Sequence, residues 1–483
     1  MKSSWPVRWS TIEPEDATNS ERNAPGFLLL VLTVSFGALI APLNSTMIAV
    51  ALPDLREGFG IGRHEVSWLV SAYLIAMAVA MPIGGRIGDQ IGRAKAFRLG
   101  LLAFLGFSLA SAAAPSFELL VLLRTCQALV GAVVIPNGMA MLRSASSQRR
   151  FGEANGIVGS IIGISAAVGP VLGGLLLEAG SWRLLFLANV PLIAAALVLQ
   201  ALLRYEDSAE RQPLRVDWLA AMSLAGALAA LTFLLGSGGG ANGALLVVAT
   251  ALLAGLGGFF VLRQRTSAMP VAEWRLFRDR SFAAATGFVL LSNMIMYTAL
   301  LAIPFFLKEV QGRDDAAVGL VLGSMSIIMT FLAPATGRYS DKQGRRLPSI
   351  LGGLCMVAAA VLLVAGIGEH VSLGYLAGCL ALLGVGIGLG TGPATAAAIE
   401  ASPQSQSGVA SGMVSMMRYF GSIIGAGTLG SVLGDGATPS IEVFRVMFAA
   451  VAVTSALTTL GATQIHRFGP DRPAGARTAE QLS

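Results

Sequence analysis

The sequence predicts an all-α, polytopic membrane protein built from two related sets of transmembrane helices. Three observations predict it. Of 483 residues, 54% are hydrophobic and only 12% charged, about half the charge of a soluble domain, in which roughly a quarter of residues are charged. Uncharged apolar runs recur along the whole chain, and a run of about 18 residues or more without charge reads as a membrane span. A glycine-rich, charged segment occurs twice, 252 residues apart, which marks an internal duplication.

The elements follow in order. Residues 1–24 are polar, carry both charge signs and have no apolar core, so they are expected to form a disordered cytoplasmic tail and not a cleaved signal. Apolar cores then run over 26–50, 66–83, 99–114, 119–142, 156–177 and 184–203. Two more lie at 219–235 and 244–262, and six at 283–307, 318–334, 349–367, 371–398, 408–433 and 446–462. That makes fourteen spans. Several are shorter than the roughly 20 residues a span needs, so their ends extend into the flanks. The 58 glycines suit helices that approach one another closely in lipid. Residues 466–483 form a second cytoplasmic tail.

The net charge is +6. A nucleic-acid partner is excluded, because the basic residues sit in short loops between apolar runs instead of on one face or tail. With the N-terminus in the cytoplasm, the cytoplasmic loops hold nineteen Lys and Arg, among them Arg86, Arg143 and Arg275. The other side holds six: Arg56, Arg63, Arg183, Lys308, Arg313 and Arg445. Cytoplasmic loops carry the basic excess, and the span count is even, so both termini are expected in the cytoplasm of a cell with a bacterial-type inner (plasma) membrane. Cys126, Cys355 and Cys379 lie inside apolar runs and read as small buried hydrophobes. No metal cluster, nucleophile–base constellation or P-loop falls in the spans, so neither an enzyme, a cofactor nor ATP-driven pumping is expected.

The repeat is the most informative feature. G-R-I-G-D-Q-I-G-R-A-K at 85–95 returns as G-R-Y-S-D-K-Q-G-R-R at 337–346, and G-E-A-N-G at 152–156 returns as G-V-A-S-G at 408–412, offset by 256. Matching offsets from distant places imply duplication of a six-helix unit. Within each charged segment, the glycines permit tight turns and close helix packing. Asp89 there can cap a helix N-terminus or pair with Arg93 and so hold one side shut. The alternative is a basic anchor that happens to contain an acid. The candidate gate residues are Gly85, Asp89, Gly92 and Arg93, with Gly337, Asp341, Gly344 and Arg345 in the second copy.

These two segments resemble the paired loop signatures of the major facilitator superfamily. R-T-C-Q-A-L-V-G-A-V-V-I-P-N at 124–137 is similar to its fourth-helix motif, and A-A-V-G-P-V-L-G-G at 166–174 to its antiporter motif. L-N-S-T-M-I-A-V-A-L-P at 43–53, W-R-L-L-F-L-A-N-V-P at 182–191 and L-F-R-D-R-S-F at 276–282 resemble the fourteen-helix drug–proton antiporter branch. The resemblance covers residues 40–425. It implies an N-terminal six-helix bundle at 25–205, two extra helices at 206–265 and a C-terminal bundle at 266–465. It also implies export of small drug-like or lipophilic molecules by rocking of the halves about a central site, with protons as coupling ion and a monomer in the bilayer. The alternatives are a uniporter or importer without proton coupling, and a non-transporting sensor on the same fold.

Intramembrane charges are costly and point to function, and only Arg124 and Arg418 fall inside the apolar cores. Gln127 lies one turn from Arg124 on the same face. Resemblance gives Arg124 a part in proton movement, and the alternative is a structural arginine bonded to backbone carbonyls. Arg418 shares a helical stripe with Ser411 and Ser415. Gly169, Pro170, Gly173 and Gly174 kink and thin the fifth helix, with Ser165 where the motif has glycine. In the first helix, Asn44 stands where the branch places an aspartate and cannot titrate, and Ala128 follows Gln127 where the family has glycine. Asp54, Glu65 and Asp89 are the remaining acidic candidates. Asn44, Gln127, Asn137, Asn293, Tyr297 and Arg418 are the polar candidates for lining a cavity. Without a central carboxylate, a neutral lipophilic compound or an anion drawn by Arg124 or Arg418 competes with a cationic drug as cargo.

Overall fold

A computed structural model describes residues 25–145, 148–203, 217–236, 242–266, 273–403, 406–433 and 439–466. Both tails, 1–24 and 467–483, lie outside the described residues. The first set of helices comprises α1 (Pro25–Val50), the short α2 (Leu52–Phe59), α3 (Arg63–Ile91), α4 (Arg93–Ala112), α5 (Phe117–Ser144) and α6 (Gln148–Glu178). The sixth span is split into α7 (Arg183–Leu187) and α8 (Asn189–Leu202). Next come α9 (Trp218–Gly236) and α10 (Gly243–Thr266). The second set comprises α11 (Arg280–Phe305), which ends in a wider π turn at Phe306–Val310, then α12 (Asp315–Gln343), α13 (Arg346–Gly366), α14 (Leu373–Glu400), α15 (Ser407–Leu433) and α16 (Ile441–Ala462).

Among the described residues, 13 helical segments are long and apolar enough to cross a membrane. The remaining expected span, 408–433, is α15. At 27 residues it extends about 40 Å, enough to cross a bilayer. Lipid explains why the helices form at all: backbone polar groups with no water to meet must be satisfied within each segment. The outward faces are correspondingly apolar, as on α10, where Leu245, Val247, Val248, Leu252, Phe259 and Leu262 are all exposed.

The repeated segments are not loops, as expected, but helix. α3 runs through Gly85, Gly88 and Asp89 to Ile91, and only Gly92, at φ 98°, separates it from α4. Gly344, at φ 94°, does the same between α12 and α13. A side chain at either position would be strained in that conformation, so glycine is required. Polarity and glycine content made the segments read as loops, whereas each helix continues past its apolar core.

The core is unevenly distributed. One large cluster unites both sets of helices, joining Met47, Leu52 and Phe186 with Phe288, Phe306, Leu322 and Phe444. A second cluster, around Val34, Phe97, Phe104 and Met141, draws all its members and neighbours from residues 27–203. The halves are thus fused towards the end of the bundle bearing Asp54, and the first half packs on itself towards the end bearing Asp89. Helix α9 lies against α3 and α15, with a Cβ at Gly236 meeting His64 and one at Gly427 meeting Leu235. Helix α10 packs on α9, where Leu256 occupies the space above Gly226.

Candidate functional site

The centre of the first half is built around Arg124 of α5, which is 1% exposed. Its Nε donates to the Leu69 carbonyl of α3 at 3.1 Å; its Nη1 and Nη2 donate to Asn44 Oδ1 and the Asn44 carbonyl, both at 3.3 Å. The guanidinium also lies 4.7 Å from the Tyr73 ring centroid, a cation–π distance. Two of the three bonds go to backbone carbonyls, and the third to the side chain that stands where a carboxylate was expected. Gln127 is fully buried, and neither atom of its amide has a partner among the described residues.

The cavity candidates separate into distinct places. Asn44 is held by Arg124. The Tyr297 hydroxyl of α11 meets Ser45 Oγ of α1 at 3.1 Å, a bond between the halves at mid-depth. Asn293 donates to the Val289 carbonyl of its own helix at 2.8 Å. Asn137 is a packing residue: it is 1% exposed, its Nδ2 donates to Gly84 O at 2.8 Å and Val133 O at 2.7 Å, and its Oδ1 fills the space a Cβ at Gly88 would need. It ties α3 to α5. Arg418 is exposed, with Ser411 exposed and Ser415 half-buried on the same stripe. Gly421 and Gly425 of that helix abut α11, and Tyr419 packs against the cluster that holds Tyr73 and Met77. The stripe therefore occupies the arc between α11 and α3.

At the Asp54 end, charged side chains cross from one half to the other. Lys308 donates to Asp54 of α2 and, at 2.6 Å, to Asp315 of α12. Glu309 receives Arg56 at 2.7 Å and the buried Arg63 at 2.5 Å. Burial lifts the Asp54 carboxyl above its ordinary value of 3.8, outweighing the Lys308 ammonium, which pulls it down. Glu65 plays no part in this latch; its Oε2 accepts from the Gly62 amide at 2.8 Å and caps α3. Lys308 and Arg63 were legible in sequence only as charges that fix orientation, and Glu309 was not singled out. The adjacent Lys-Glu pair at the mouth of an apolar span was the available signal.

At the Asp89 end, Arg93 reaches Asp89 at 3.4 Å and the Ala140 carbonyl of α5 at 3.4 Å. Arg345 makes stronger contacts, to Asp341 at 2.5 Å, Ser340 Oγ at 2.7 Å and Glu400 of α14 at 2.6 Å. Each of these pairs stays within one half. Glu400 was not anticipated from sequence, because it lies 55 residues from Arg345 at the end of an uncharged run.

Helix α6, which carries Pro170, is the seam. A Cβ at Gly169 would meet Thr46 of α1, and one at Gly173 would lie 3.0 Å from the Met47 carbonyl; one at Gly174 would lie 2.4 Å from the Asp315 carbonyl of α12. Gly319 of α12 faces the Pro170 carbonyl at 2.6 Å in the same sense. Deeper, the Thr330 hydroxyl donates to the Gly163 carbonyl at 2.8 Å. One face of α6 thus seats α1 and another seats α12, at distances only glycine allows.

Comparison with known proteins agrees with this architecture. The family model of the Major Facilitator Superfamily matches residues 34–426, and again 283–480. The chain belongs to the major facilitator superfamily. It is a multi-pass membrane transporter and not an enzyme. It is 32% identical over 434 residues to the uncharacterized MFS-type transporter YvkA of Bacillus subtilis, covering 89% of this chain and 95% of the relative. It is 31% identical over 420 residues to multidrug resistance protein Stp of Mycobacterium tuberculosis, covering 86% and 77%. The tetracenomycin C resistance and export protein of Streptomyces glaucescens is 28% identical over 409 residues, covering 84% and 76%. The superfamily fold also appears in the crystal structure of a D-xylose–proton symporter, with a TM-score of 0.66 at 12% identity over 92% of this chain and 98% of the other.

Proposed function

We propose that this transporter exports small lipophilic or drug-like molecules by alternating access, in exchange for protons, and that the Asp54 end faces outward with both termini in the cytoplasm. One observation carries the reading: among the described residues, charged pairs clasp the halves at the Asp54 end, while the pairs that Arg93 and Arg345 make stay within single halves. That is the asymmetry expected of one of two rocking states around a central site. The same orientation is supported by the basic excess in the loops of the Asp89 end. Relatives named for multidrug resistance and for tetracenomycin C export support outward movement of such compounds. The domain division at 25–205, 206–265 and 266–465 follows from the same reading, with α9 and α10 as the additions.

Protons enter through Asp54. Because burial raises its carboxyl, the clasped state binds a proton more readily than a state in which Asp54 is solvated. Protonation from outside therefore favours closing the outer end, which is the sense an antiporter needs. A growth-inhibition panel across cationic, neutral and anionic compounds tests the export reading. Cells expressing the chain should tolerate at least one class better than cells expressing the seam variant Gly174→Leu. Equal growth in both across all classes would contradict it.

A second reading is favoured by the Asn44–Arg124 contact. With no carboxylate among the described residues in contact with the central arginine, transport without proton coupling is the alternative. Asn44→Asp would then change the pH dependence of flux, and identical profiles would remove Asn44 as the distinguishing residue.

A further inference from the structure

Arg124 carries a full charge into the middle of the bundle, and what surrounds it is short of negative charge. Among the described residues no ion pair reaches it, and the titratable groups near it are Tyr73 and Tyr297. Its three hydrogen bonds, at 3.1, 3.3 and 3.3 Å, are longer than the roughly 2.7–2.9 Å of charge-assisted bonds. A buried charge is ordinarily paired. Here the acceptors are two carbonyls and one neutral amide, which solvate the guanidinium without neutralising it.

Two neighbouring amide N–H groups are left without acceptors. Asn44 gives its oxygen to Arg124, and its Nδ2 has no partner among the described residues. Gln127, one turn from Arg124 and fully buried, has both Nε2 and Oε1 without one. The Tyr297 hydroxyl reaches the same region from the other half, against Ser45. Buried amides are almost always hydrogen-bonded, so the two open N–H groups of Asn44 and Gln127 beside an uncompensated cation mark the place of missing acceptor atoms. Water would supply acceptors but no charge. A cation would be repelled by the guanidinium at a few ångströms in a medium of low dielectric.

We propose that Arg124, Gln127, Asn44 and Tyr297 together bind a monovalent anion, either the carboxylate of a lipophilic molecule or chloride. The carboxylate source would make the anion part of the exported cargo and so rests on the transport reading above; binding itself does not. Because Tyr297 belongs to the second half and the other three residues to the first, the bound anion would sit where the halves meet.

The test uses the purified full-length chain in lipid nanodiscs. Thermal unfolding is followed in a zwitterionic buffer of low ionic strength while sodium benzoate, sodium chloride or neutral benzamide is titrated in. A saturable rise in Tm is expected with benzoate or chloride and none with benzamide, since a ligand that binds only the native state stabilises it. Whichever anion acts identifies the source. Asn44→Asp places a carboxylate on the guanidinium from within the chain, so its Tm should rise without added anion and its anion affinity should fall by about tenfold or more. Gln127→Leu keeps the volume and removes a donor, so it should weaken the anion response while leaving the anion-free Tm close to wild type, and it decides the matter if Asn44→Asp does not fold. The proposal is overturned by any of three results: no anion shifts wild type, benzamide acts as well as benzoate, or both variants respond as wild type does. None of these readings requires transport, so a failure of the export reading would leave the binding curves unchanged.

Discussion

Replacing Glu309 by glutamine is the sharpest perturbation of the clasp. Glu309 accepts from Arg63 at 2.5 Å and from Arg56 at 2.7 Å, with 12% of its side chain exposed and Arg63 only 1%. Glu309→Gln keeps the shape but removes the carboxylate facing two guanidinium groups. Breaking a buried pair by removing one partner costs about 3–5 kcal/mol. The lower end applies here, because Arg56 is 29% exposed and solvent screens it. About 3 kcal/mol corresponds to roughly a hundredfold change in an equilibrium constant. A population closed about 99:1 at the Asp54 end would fall to near parity. Spin labels at Glu57→Cys and Arg313→Cys, both exposed and on opposite halves, would read this by pulsed electron resonance once Cys126, Cys355 and Cys379 are replaced by alanine. The expected result is a second, longer distance population in Glu309→Gln. An unchanged distance distribution, with the protein folded, would refute the clasp as an element that holds the state.

Other predictions follow from the same contacts. Gly174→Ala should cost about 1–3 kcal/mol in stability, because its Cβ would lie 2.4 Å from the Asp315 carbonyl; Gly159→Ala, into open space, should lie within about 0.5 kcal/mol of wild type, both by thermal unfolding. The contribution of Asp54 to the clasped state is present in full below its ordinary value of 3.8 and is lost as pH rises through its raised value. The label distances should therefore shift towards the open population with rising pH in wild type, and Asp54→Asn should flatten that dependence. Arg345→Gln and Glu400→Gln should each impair transport, and the double variant should lose less than the sum. A coupling of about 0.5–3 kcal/mol from a double-mutant cycle on stability is expected for groups 2.6 Å apart. Asn137→Leu should destabilise by about 1–3 kcal/mol, since it unmakes the bonds to Gly84 and Val133.

What sequence could and could not reveal divides along physical lines. Spans were legible because crossing lipid demands long uncharged runs, as at α1 and α14, and the duplication was legible because spacing survives where residues change. Helix ends were less so: residues 85–95 look like a loop by polarity, yet only Gly92 leaves the helix. Asn137 and Asn44 are both polar residues in apolar runs, and composition gives no sign that one clamps α5 to α3 while the other holds Arg124. Contacts such as Asp54–Lys308 join residues more than 250 positions apart. No local pattern announces them, and it is these long-range pairs that show which end of the bundle is clasped. The glycine-rich segment at 169–174, by contrast, was readable in kind. Its glycines were expected to allow close contact, and the structure supplies the two partners, Met47 of α1 and Asp315 of α12.

Proton-coupled export is the central claim, and a direct measurement is available. Purified chain in proteoliposomes containing a pH indicator, with an outward-directed substrate gradient and no imposed membrane potential, should move protons inward as a lipophilic compound leaves. Asp54→Asn should abolish the proton signal. Substrate efflux at the wild-type rate with an unchanged lumenal pH would contradict the account and establish the transporter as a facilitator.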